Sequence, residues 1–408
     1  MKNILGIIAE YNPLHNGHMY HIKEAQKKVK PDFTIAIISG NFTQRGTPSI
    51  VNKWEKAKMA LNAGIDIVVE LPTIYSISSA ENFADGAIKI LKQMGTTHIS
   101  FGMEADNIED LSKIADILCE EPKELSNIIK SELKKGISYP KARQKAILEY
   151  SNNEKYEKIV SEPNNILAIE YLKSIKKHKA QIIPIGIKRN AVMHNSDQIT
   201  NKLASSTAIR KILENEKIEK IKEYVPESSF KILEQNIENG TYIKNVKKYE
   251  KMIIYKLRTM STKQIADLPD VSEGLENLIS KSAGETNSIT ELIEKIKSKR
   301  YTQTKIQRIL MYALIGINKK DMEISGETTP YIRILGMNEQ SKKHIKNIEK
   351  NGNVIISVKE FEKNNKNEIY RKLHEIDKKA TDIYSIGFEK NSKASLDYTT
   401  RIITKTLQ

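Results

Sequence analysis

The chain has 408 residues, 39% of them hydrophobic, and carries 66 lysines and arginines against 51 acids, a formal net charge of +15. That length exceeds one ordinary core, so two or three domains are expected. The single cysteine, Cys119, excludes a disulfide framework, and no apolar run is long enough for a membrane span. Lys2 is the only cation before the first turn, which does not suit a secretory leader, so the expectation is a soluble cytoplasmic protein with no membrane partner. Residues 1–210 carry 29 basic against 23 acidic side chains, and residues 211–408 carry 37 against 28. The excess points to a polyanionic partner such as nucleic acid; general richness in lysine is the plainer reading.

In chain order, residues 4–9 read as a buried strand and 18–28 as a helix. A second β-branched run covers 33–39 and ends in Gly40-Asn41. A helix over 52–62 follows, then a strand over 66–70 stopping at Pro72, a helix over 82–94 and a strand over 98–102. Continuous apolar strands alternating with helices predict a parallel sheet covered on both faces. Right-handed crossovers put every strand's C-terminal end on one rim, which collects residues 11–18, 40–46, 72–75 and 102–104. That rim is the candidate site. The stretch 106–148 is helical, and another helix starts at 161–165. A further strand over 181–187 ends in Lys188-Arg189-Asn190 on the same rim. A polar loop around 194–197 then leads to a helix opened by Ser205-Ser206-Thr207-Ala208-Ile209-Arg210.

Beyond about residue 220 the alternation is lost. Segments 244–258 and 292–315 read as helical, and 352–358 as one late strand. The expected fold is therefore α/β: a Rossmann-like parallel-sheet domain over 1–215, followed by an α-rich basic domain over 216–408. Ile306, Ile309, Leu310, Ala313 and Leu314 form a stripe best assigned to core packing. The lysines and arginines around Tyr255, Tyr301 and Tyr312 could serve an RNA-facing groove.

Chemistry concentrates in Asn12-Pro13-Leu14-His15-Asn16-Gly17-His18. His15 and His18 lie three apart at a helix start, so they share a face. Free N–H groups and the helix dipole favour phosphate there, and Gly17 permits a close approach. A surface accident or half of a metal site is the alternative. A metal would need further ligands, and there is no CxxC or HExxH, so no metal ligand is assigned. Ser205, Ser206 and Thr207 with Arg210 make a second anion cradle, although at least one of the three hydroxyls is a plain helix cap. Arg210 is a phosphate ligand or else a surface ion pair. Two such helix starts suit a triphosphate held from both sides. Gln44-Arg45-Gly46 is either a plain loop or a contact to substrate or tRNA.

The early Asn-Pro-Leu-His-Asn-Gly-His with the late Ser-Ser-Thr-Ala-Ile-Arg resembles the HxGH nucleotidyltransferase superfamily. More narrowly, residues 9–18, Ser39-Gly40-Asn41-Phe42-Thr43-Gln44-Arg45-Gly46, Pro163-Asn164-Asn165-Ile166-Leu167 and Ile187-Lys188-Arg189 are similar to the tRNA(Met) cytidine acetate ligases. So are Pro330-Tyr331-Ile332-Arg333-Ile334-Leu335-Gly336, residues 380–385 and Asp397-Tyr398-Thr399-Thr400. The resemblance implies ATP-dependent joining of acetate to the wobble cytidine of elongator tRNA(Met), through an acetyl-adenylate. It implies an ATP loop of Ile7, Ile8, Ala9, Glu10, Tyr11, Asn12, Pro13, Leu14, Asn16, Gly17, Met19 and Tyr20, with His15 and His18 stabilising the transition state. Gly102, Asn164 and Arg189 would complete that pocket. Mg²⁺ is expected with the triphosphate, but no carboxylate cluster declares itself; Glu10 and Glu104 are weak candidates, otherwise solvated rim residues. No obligate protein partner is implied. A small-molecule adenylyltransferase and a nucleotide-sensing RNA-binding protein remain as alternatives.

Overall fold

The computed structural model describes residues 2–189, 203–272, 274–349 and 353–405. The expected Asn190, the polar loop at 194–197 and Gly352 fall outside them. The strands are β1 (Ile4–Ala9), β2 (Phe33–Ser39), β3 (Ile67–Leu71), β4 (His98–Met103), β5 (Ile183–Lys188), β6 (Ile332–Asn338), β7 (Val354–Ile355) and β8 (Ile403–Lys405). They form one sheet in the order β5-β4-β1-β2-β3-β6-β7, with β8 also paired to β6. From β5 to β3 every pairing is parallel, as the strand–helix alternation predicts. The connections diverge from β1 and β4, β1 leading to β2 on one side and β4 to β5 on the other, which opens a crevice beyond the C-terminal ends of β1 and β4.

The apolar runs are continuous because both faces are covered. Ile35 and Ile37 of β2 face one layer, packed with Ala84 and Ala87 of helix Ala80–Gln93 and Ile169 of helix Pro163–Lys177. Ala36 and Ile38 face the other, with Ala25 of helix Asn16–Val29, Ala57 of helix Lys53–Asn62 and Ile209 of helix Ser206–Asn215. Two-residue alternation therefore sorts one strand between two cores.

The sequence reading missed β6. It lies antiparallel to β3, so the sheet draws strands from both sides of the expected boundary at 215/216. The late strand is shorter than expected, only Val354–Ile355, and pairs with β6. The stripe on helix Gln303–Ile315 is core: Ile306, Ile309, Leu310 and Ala313 are buried, in the layer that also holds Ile35 and Ile37. Tyr301 and Tyr312 are buried too, and the Tyr312 hydroxyl donates to Ile77 O at 2.6 Å. Neither ring is free to stack on a base, which corrects the groove expected from them; Tyr255 is exposed.

Four buried charges fasten β6 in place. Arg333 lies opposite Glu70 in register, and the Lys53 ammonium meets Glu70 at 2.9 Å and Asp397 at 2.8 Å. Arg333 meets the same two carboxylates at 3.3 and 2.6 Å. The two cations hold the Asp397 carboxyl well below its usual range, despite the opposing effect of burial.

Candidate active site

β1 delivers the chain to the rim at Ala9. Tyr11 then takes a left-handed turn with φ 46°, and helix Asn16–Val29 begins with His15 as its N-cap. The two histidines cap each other's backbone. His15 Nδ1 accepts from Gly17 N at 3.1 Å, and His18 Nδ1 accepts from His15 N at 3.2 Å. Each ring, when neutral, therefore carries its proton on Nε2. The rings lie with centroids 3.8 Å apart, and Tyr11 meets His18 edge-on at 5.1 Å. Burial, then Arg189 and Arg210, pull the His15 pKa down to about 3. His18 is held well below its ordinary value by burial, His15 and Arg189. Both imidazoles are neutral N–H donors at neutral pH, and the positive charge of the site resides in the guanidinium groups.

Arg189 follows β5, anchored through its N–H to Met103 O. Its Nη1 donates to Asn164 Oδ1 at 3.3 Å. Its Nε is buried with no hydrogen-bond partner among the described residues. A donor left in that state costs free energy unless a ligand accepts from it. A Cβ on Gly102 would lie 3.1 Å from Arg189 Cδ, so the bare backbone of Gly102 makes room for the arginine stem. Asn164 also hydrogen-bonds the Glu104 carboxylate, which accepts from Asn165 N at 2.9 Å as well.

Among the described residues Arg210 makes no ion pair. It donates to Asn12 O at 2.7 Å and to Thr207 Oγ1 at 3.2 Å, clamping the loop from the second helix start. Ser205 is the plain cap, accepting from Ala208 N, while Ser206 Oγ donates to Pro13 O at 3.4 Å. Asn12 in turn accepts from Ile50 N at 2.7 Å. Within the loop, Ile7, Pro13 and Leu14 are buried, whereas Ile8, Ala9, Asn16, Gly17 and Met19 are half-buried at the rim and Tyr20 is exposed.

Two residues escaped the sequence reading. His21 extends the three-residue spacing from His18; its Nε2 meets Ser100 Oγ at 2.8 Å and burial brings its pKa down to about 4. That spacing was available as a signal. Lys56 gave none, because a lysine in a helix reads as solvated. It is fully buried, and its Nζ donates to Glu10 O, Ser39 O, Ser39 Oγ and Ser49 Oγ at 3.0, 2.7, 3.1 and 3.1 Å. It ties the ends of β1 and β2 together, and burial lowers its pKa to about 7. Glu10 Oε1 accepts from Gln44 N at 2.7 Å. Both weak metal candidates, Glu10 and Glu104, thus already accept protein hydrogen bonds, and the described residues hold no group of three or more His, Cys, Asp or Glu that could bind a metal ion.

A strand-to-helix turn bearing two histidines, faced by arginines from two other elements, defines a nucleotidyl transferase site. The family model described as HIGH Nucleotidyl Transferase matches residues 1–398. A curated tRNA(Met) cytidine acetate ligase of Caldanaerobacter subterraneus subsp. tengcongensis is 43% identical, over 97% of this chain and 98% of its own. One from Acetivibrio thermocellus is 38% identical over 98% and 99%. The crystal structure of apo Thermotoga maritima TmcAL superposes with a TM-score of 0.95 at 32% identity, covering 99% of this chain and 100% of that one. The same protein bound with alpha-thio ATP gives 0.92 at the same identity and coverage. The chain belongs to the tRNA(Met) cytidine acetate ligase family.

Proposed function

We propose that this protein acetylates the wobble cytidine of elongator tRNA(Met), consuming ATP and acetate. The observation that carries the reading is two Nε2–H donors at one helix start, both within reach of the charge of Arg189, whose Nε has no partner among the described residues. An acetate oxygen attacks the α-phosphorus of ATP and pyrophosphate leaves, giving acetyl-adenylate. The N4 amine of cytidine then attacks the acetyl carbonyl carbon, losing a proton, and AMP leaves. Neither step needs a protein nucleophile; both need alignment and charge neutralisation. His15 and His18 donate to phosphate oxygens, and Arg189, held by Asn164, balances their charge. Arg210 fixes the loop's backbone through Asn12.

Mg²⁺ would accompany the triphosphate and neutralise part of its charge, bound chiefly by phosphates and water. The helix-rich residues 216–408 present the tRNA. The family match over residues 1–398 supports that reading over the small-molecule alternative, which leaves this half without a role. The working compartment is the cytoplasm. No helix of the described residues is long and apolar enough to cross a membrane.

The test is incorporation of radiolabelled acetate into bulk tRNA with and without ATP. ATP-dependent label confined to a methionine tRNA is the expected result. Label-free tRNA, with ATP–pyrophosphate exchange driven by some other carboxylate, would overturn it.

A further inference from the structure

We propose that Arg45, together with the basic turn 297–300 and the start of helix Gln303–Ile315, forms the surface on which the phosphates of the tRNA anticodon loop dock. This rests on the tRNA reading above. The hairpin after β2 is closed by Thr43 N to Thr47 O and Gly46 N to Thr43 O, and it carries Arg45, exposed, beside its tip. Gly46 has φ 72°, and a Cβ there would lie 2.4 Å from Arg308 N and 2.5 Å from Gln307 C. The hairpin is therefore seated on the helix backbone. Gln44 secures its other side, donating from N to Glu10 and from Nε2 to Ser78 O at 2.8 Å. One loop thus bridges the ATP rim and the helix-rich half, which is why Gln44-Arg45-Gly46 is more than a plain turn.

The cations around this junction crowd one another. Lys305 Nζ sits 5.4 Å and Arg300 Cζ 5.8 Å from the centre of the Tyr301 ring. Burial, together with Arg308 and Arg300, lowers the Lys305 pKa, with Asp270 opposing. Asp270 also takes the Arg308 guanidinium at 2.8 Å. Lys297 and Lys299 are exposed on the same turn, which Ser298 N to Tyr301 O and Tyr301 N to Ser298 Oγ hold closed. On the rim side, the charge of Arg45 reaches Arg210. Like charges gathered this way repel until a polyanion arrives. An RNA loop fits because its reactive base must reach the adjacent rim while its flanking phosphates lie on the cations.

The test compares wild type with the triple variant Arg45→Ala, Lys299→Ala, Arg300→Ala, all three positions being exposed. The KM for tRNA should rise about ten-fold or more, and the dependence of log affinity on log salt should flatten by roughly one per lost contact. The charge-keeping pair Arg45→Lys, Arg300→Lys should retain the wild-type salt slope. A triple variant whose tRNA KM and salt slope match the wild type overturns the surface while leaving the proposed function intact. If wild type instead fails both at acetate-dependent ATP–pyrophosphate exchange without tRNA and at tRNA acetylation, the function itself falls.

Discussion

In the proposed function, His15 and His18 divide their two ring nitrogens between structure and chemistry. Each Nδ1 caps a backbone N–H, and the proposed role of Nε2–H is donation to the phosphates. Replacing either by alanine removes one donor and one cap. The lost donor should cut acetate-dependent exchange by about 10²–10³-fold, while the lost cap should lower stability by only about 1 kcal/mol. Exchange kinetics and urea unfolding of the same preparations separate the two; normal exchange by either variant would remove the assigned role. Lys56 makes a different prediction. Its pKa falls from 10.5 to about 7 on folding, so between those values the unfolded chain holds more protons than the native one. Stability should therefore rise with pH across that window, by up to about 1.4 kcal/mol per pH unit from this group. Urea titrations at pH 7, 8 and 9 should show a steeper rise for wild type than for Lys56→Met, and parallel curves would contradict the assignment.

Apolar runs that alternate with helices advertise themselves, and β1 to β5 were legible because the polar residues they bury, such as Thr34 and Glu70, leave those runs recognisable. β6 was not, because Arg333, Gly336 and Asn338 break its apolar run. Its burial depends on charges supplied by Lys53, Glu70 and Asp397, from three other parts of the chain. Local pattern holds no trace of such a pairing. The site divides in the same way. The His–x–x–His spacing, the second helix start and the place of Arg189 on the rim could be read from the residues, whereas Asn164 and the role of Arg189 came only through resemblance, since nothing local marks a lone asparagine. The buried network yields its own prediction. Asp397→Ala would leave Lys53 and Arg333 undercompensated and should destabilise the protein by about 3–5 kcal/mol. A shift in the urea midpoint at constant slope would show it, and a change under 1 kcal/mol would mean that the network is solvated.

The proposed division into an ATP-binding part and an RNA-presenting part has no architectural counterpart, because the sheet and its core cross the boundary. β6 covers the outer edge of β3, the Tyr75 hydroxyl donates to Ser325 O at 2.9 Å and Thr328 O at 3.0 Å, and Tyr384 OH donates to Ser49 O at 2.9 Å. Ile243 N donates to Ile50 O at 2.8 Å. A fragment ending at residue 215 keeps every residue of the histidine loop and Arg210, yet loses all of these partners. Its β3 would present a bare apolar edge, prone to pairing with other chains. Glu70 and Lys53 would also lose Arg333 and Asp397. The expected outcome is a fragment without a cooperative urea transition, with rapid amide exchange across residues 67–71 and a tendency to aggregate. A soluble fragment that unfolds cooperatively and still exchanges pyrophosphate into ATP would show instead that the first 215 residues close their own core, leaving β6 as an added layer.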